Sequence, residues 1–78
     1  MIDTIHNELQ MLGVYYRRNG DAIVFDRKNG GRASAHADVN GVHIMLLNEY
    51  SFTVGQLSLR MVSDELLAAV IADVVNSK

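Results

Sequence analysis

Apolar residues at Ile2, Ile5, Leu9 and Leu12 recur at helical spacing, with Asp3, Thr4, Asn7, Glu8 and Gln10 on the other positions. A 3.6-residue period gathers the apolar set into one stripe, so the chain opens with an amphipathic helix. Asp3 suits the positive end of its dipole, and Gly13 supplies the left-handed residue that commonly ends a helix.

From Val14 to Leu47 the period falls to two, punctuated by Asn19-Gly20, Asn29-Gly30 and Asn40-Gly41. Asn-Gly fits a type I′ turn, whose central residues both need φ > 0, so the pattern predicts four consecutive antiparallel strands. A two-residue loop at Asn19-Gly20 sets Arg18 opposite Asp21, Tyr16 opposite Ile23 and Val14 opposite Phe25. A three-residue loop, Asn29-Gly30-Gly31, sets Phe25 opposite Ala35 and Ile23 opposite Ala37; one residue fewer would turn every apolar side chain to the other face. Asn40-Gly41 then pairs Val39 with Val42, Ala37 with Ile44 and Ala35 with Leu46. One face becomes continuously apolar: Val14, Tyr16, Ile23, Phe25, Ala33, Ala35, Ala37, Val39, Val42, Ile44 and Leu46. Its alanine row forms a trough in which a helix can lie close.

Glu49 to Ser51 reads as a connection. Phe52, Val54, Leu57, Leu59 and Met61 suit a fifth strand with a bulge at Gly55, although a short helical turn near Val54 also fits. Ser63 caps a second helix running to Asn76, with Asp64 and Glu65 in its first turn. Its stripe of Leu66, Leu67, Val70, Ile71, Val74 and Val75 is broad enough to need burial on two sides, against the sheet and against either the first helix or a second subunit. The expected fold is α+β: an N-terminal helix, a four- or five-stranded antiparallel β-meander and a C-terminal helix, both helices on one face of the sheet.

Composition narrows the setting. The 78 residues make one domain, 1–78. A chain this short buries only about 60% of its unfolded surface, so it is marginal alone unless it packs well or forms an oligomer, and a homodimer is expected. It starts with Met and reads as ordered almost throughout, as expected of a complete small gene product. Without cysteine there is no disulfide framework or thiolate chemistry. A net charge of −2 pulls it toward neither nucleic acid nor anionic lipid. The longest apolar run, Leu66 to Ala72, falls far short of the roughly 20 residues that span a bilayer. Asp3 and Glu8 stand where a signal peptide is basic and then apolar. A cytoplasmic location without membrane contact is expected.

The second face of the sheet carries the candidate chemistry: Tyr15, Arg17, Ala22, Val24, Asp26, Ser34, His36, Asp38, His43, Met45 and Leu47. It is half apolar, and with both helices on the smooth face it is left for a partner. Tyr15, Val24, Met45 and Leu47 are the expected anchors, with Arg17, His36 and His43 around them. Ser34, His36 and Asp38 spell a nucleophile, base and orienter, but alternate strand residues stand roughly 6.5–7 Å apart and no glycine elbow accompanies them. Catalysis is therefore not expected. The same register sets Asp38 opposite His43 with His36 diagonal to it. Two imidazoles and a carboxylate could hold zinc; a cross-strand ion pair is the simpler reading, so no metal or other cofactor is expected. His6 falls on the solvated side of the first helix.

Arg27, Lys28 and Arg32 cluster around the second turn, where they suit either a solvated hairpin tip or a nucleic-acid contact. The glycines precede no helix N-terminus, so they cradle no phosphate. In architecture the layout resembles small dimeric chaperone-like domains and phage-encoded inhibitor domains. The absence of a catalytic or cofactor motif, the small core, the over-apolar second helix and the half-apolar face together point to a non-enzymatic protein that binds another protein as adaptor, chaperone or inhibitor. The alternative is a small nucleic-acid-binding regulator using Arg27, Lys28 and Arg32.

Overall fold

The computed structural model describes residues 2–77. Its elements run α1 (Ile2–Leu12), β1 (Tyr16–Asn19), β2 (Ala22–Asp26), β3 (Arg32–Asp38), β4 (Gly41–Leu47), β5 (Thr53–Leu59) and α2 (Asp64–Asn76). The strands stand in chain order in one antiparallel sheet, so β1 and β5 are its edges.

The core follows the two periodicities. From α1 come Ile5 and Leu9, fully buried, with Ile2 and Leu12 packed beside them. Gly13, at φ +72°, closes the helix by donating from its N–H to the Leu9 carbonyl at 3.1 Å. From α2 come Leu67, Ile71, Val74 and Val75. Ser63 caps that helix, its Oγ accepting from the Leu66 N–H at 3.1 Å. Both stripes meet Ile23, Phe25, Ala33, Ala35, Val42 and Ile44 on a single face of the sheet. Burying each large side chain there stabilises the fold by about 1.5–3 kcal/mol. Across the two helix starts, Thr4 Oγ1 donates to Asp64 Oδ1 at 2.9 Å.

All three early hairpins differ from the expected register by two residues. Tyr16 faces Phe25 and Arg18 faces Ile23, because the loop is Gly20-Asp21. Gly20 alone takes positive φ there (+62°), the preference of a type II′ turn rather than I′. Phe25 faces Ala33 and Ile23 faces Ala35, across a longer loop in which Asn29 Oδ1 accepts from the Gly31 N–H at 2.8 Å. Ala37 faces Val42 and Ala35 faces Ile44, because Asp38 Oδ1 accepts from the Asn40 N–H at 2.8 Å and draws the turn back to Val39-Asn40. Gly41 then leaves the turn at φ +136°, where a side chain would collide with the Leu59 carbonyl. A slip of two keeps every side chain on its face. The exception is Val39, which moves into the turn and is wholly exposed.

The fifth strand is formed, and the helical alternative near Val54 is not. Leu46 faces Gly55 and Leu47 faces Thr53, so the extra, bulged residue is Val54 rather than Gly55 itself. Met61 lies beyond the strand end at φ +49°. Among the described residues, no helix is long and apolar enough to cross a membrane.

Candidate functional site

With α1 and α2 on the same side, no element among the described residues lies over the other face of the sheet, and the register arranges its side chains in rows. The central row runs Arg17, Val24, Ser34, Met45, Gln56. On one side lies a polar row of Asn19, Ala22, His36, His43 and Ser58. On the other, Asp26, Arg32, Leu47 and Thr53 form a mixed row, which Tyr15 joins because its carbonyl accepts from the Asp26 N–H at 2.9 Å. Tyr15 and Met45 are exposed, while Val24 and Leu47 are half-buried. The seven partner-binding candidates, Tyr15, Arg17, Val24, His36, His43, Met45 and Leu47, thus occupy one open surface. Alternation alone identifies this set, since strand parity survives the change of register.

The histidine cluster differs in detail from expectation. His36, not Asp38, stands directly opposite His43, and Asp38 faces Gly41. The imidazoles stack with ring centres 6.1 Å apart. Asp38 still reaches both, with Oδ2 at 3.2 Å from His43 Nε2 and 3.8 Å from His36 Nε2. The Asn40 N–H foremost, then the nearby imidazoles, hold the Asp38 carboxyl below its ordinary range. His43 Nδ1 hydrogen-bonds Ser58 Oγ at 3.1 Å across to β5. Among the described residues, no group of three is arranged to hold a metal ion. His6 is exposed yet not merely solvated: its ring meets Tyr16 edge-on, with centres 5.2 Å apart.

The basic residues of the second hairpin are not brought together as one patch. Arg27 turns to the helix side, where Nε donates to the Val74 carbonyl at 3.1 Å and Nη2 donates to Ser77 Oγ. Arg32 opens β3 on the bare face and pairs with Asp26 at 3.6 Å. Lys28 is exposed between them, its backbone N–H donating to the Val75 carbonyl at 2.8 Å. The electrostatic cluster of the linear sequence is thereby divided between the two faces of the sheet.

Two contributions escape the sequence reading. Gln56 and Ser58 extend the open face onto β5, which follows only once the bulge fixes that strand's register. The β4–β5 loop is knit by Asn48, whose Oδ1 accepts from the N–H groups of Tyr50 and Phe52 at 2.9 and 3.0 Å. This leaves both aromatic rings exposed on an ordered turn. An asparagine directly after a strand was the available signal. Comparison of the chain with protein-family models, curated proteins and solved structures returns no match.

Proposed function

We propose that this chain is a non-enzymatic protein-binding domain, an adaptor, chaperone or inhibitor, and that it engages its partner with the open face of the sheet. The observation that carries this reading is the placement of both helices on one side. It leaves a five-stranded surface on which the apolar side chains of Tyr15, Val24, Met45 and Leu47 alternate with Arg17, His36 and His43. Apolar and aromatic anchors within a polar surround are what a protein interface requires.

The test is capture of partners on the tagged chain, with and without nuclease, comparing the native sequence with Met45→Asp. Met45 lies mid-face and is partly exposed, so the substitution places a charge in the contact while sparing the core. A specific protein partner should survive nuclease and bind the variant at least about tenfold more weakly, with unchanged circular dichroism. Equal binding by the two chains would remove this face from the account. Partners lost only on nuclease treatment would favour nucleic-acid contact through Arg27, Lys28 and Arg32.

A further inference from the structure

The two edges of the sheet are built differently. β1 is four residues long and carries Arg17 and Arg18, the short, charged form that discourages further strand pairing. β5 is seven residues long, TVGQLSL, with no charge and no proline, and past its bulge at Val54 it runs regularly from Gly55 to Leu59. Its outer side offers unpaired backbone groups, a template for another strand.

Beside this edge the helix side of the sheet is incompletely covered. Leu57 is 38% exposed although it lies opposite the buried Ile44. An open apolar groove of about 320 Å³ runs between β5 and α2, lined by Leu46, Leu57, Leu59, Val70 and Val74, with Asp73 as its one charged residue. On α2, Leu66 lies one turn before Val70 and is 51% exposed. The free strand edge and the underfilled groove therefore lie together.

We infer that two copies of this chain pair through β5, antiparallel about a two-fold axis at Gln56, to give one ten-stranded sheet. A strand without charge can face itself with no like-charge opposition. The axis sets Leu57 of each copy opposite Gly55 of the other, and both positions face the helix side. Leu46 already leans over Gly55, its Cδ1 3.3 Å from where a Cβ would stand. Each incoming Leu57 therefore meets an apolar side chain at the mouth of the groove, and the two-fold axis repeats the contact. Pairing satisfies the outward backbone groups of β5 and brings the two grooves together.

The test is the mass of the purified full chain by sedimentation equilibrium at micromolar concentration, for the native sequence, Gln56→Lys and Gln56→Glu. Gln56 is exposed, so circular dichroism should not change. The native chain should sediment at twice its own mass and each variant at its own mass. An equimolar mixture of the two variants should return to twice the mass, because opposite charges then face each other across the axis. Hydrogen exchange gives a reading free of substitution: amides of Thr53–Leu59 should slow as concentration rises. A monomeric native chain, variants that remain dimeric, a mixture that stays monomeric, or exchange independent of concentration would each overturn the inference. No partner protein enters these measurements. Met45→Asp, the probe of the open face, should leave the dimer intact, so the two readings fail separately.

Discussion

Asp38 holds two jobs with one carboxylate. Its Oδ1 fixes the β3–β4 turn through the Asn40 N–H, and its Oδ2 faces His43 and His36. Both arrangements favour the ionised form, with the Asn40 bond the larger influence, and the carboxyl sits below its ordinary value of 3.8. Above the unfolded value both states are ionised and the stabilisation is whole. As pH falls through that value the unfolded chain takes up the proton first, and the contribution is gone once pH passes the folded value. Asp38→Asn keeps an oxygen for the turn and removes the charge. Urea midpoints should therefore converge for the two chains below the carboxylate range and separate above it, with the native chain the more stable. Midpoints equally spaced across that range would exclude the linkage. Nearby, Gly41 shows the same economy of space: the turn and the approach of β5 both require a residue without a side chain.

Among the elements, α2 depends most on a distant residue. Its C-terminal carbonyls lack intrahelical donors. Arg27, from the β2–β3 loop, supplies one to Val74, Ser77 Oγ donates a second at 2.9 Å, and the Lys28 N–H supplies Val75. The guanidinium also complements the negative end of the helix dipole, and the last turn of α2 has no basic residue of its own. Arg27→Met preserves the aliphatic stem and removes the donors and charge. It should lower unfolding stability by about 1–2 kcal/mol, read as a fall in urea midpoint at constant m-value. An unchanged midpoint would mean the contact contributes nothing. This role was invisible in the linear sequence because the partners stand 47 residues apart, whereas the charges that suggest a nucleic-acid patch stand together. The hairpins show the complementary case. Apolar alternation dictates which face each side chain takes, so ten of the expected apolar-face residues reach or border the core and the open-face set is recovered whole. It cannot distinguish registers two residues apart, and that choice fell to local chemistry, the Asp38 side chain and the lone positive φ of Gly20. Asn-Gly is a good signal that a turn exists and a poorer one for where its centre lies.

At the scale of the whole molecule, one sheet has both helices on one side, so among the described residues one face and both edges have no intramolecular strand or helix over them, and of the edges only β5 is long and uncharged. A domain this small gains stability from any further burial, since it leaves a large share of its surface in water. The proposed division of labour gives the open face and the β5 edge different occupants: the face meets a partner protein and the β5 edge meets a second copy. It has a thermodynamic consequence separate from mass measurements. If the folded state is the β5-paired dimer and the unfolded state is a single chain, mass action stabilises folding as concentration rises. A tenfold increase contributes about 1.4 kcal/mol per dimer. For a domain of this size that raises Tm by a few degrees. Native chain scanned at stepped concentrations should therefore show a rising Tm, while Gln56→Lys should show a lower and concentration-independent one. A native Tm that stays constant across a hundredfold range would leave the β5 edge unpaired in solution.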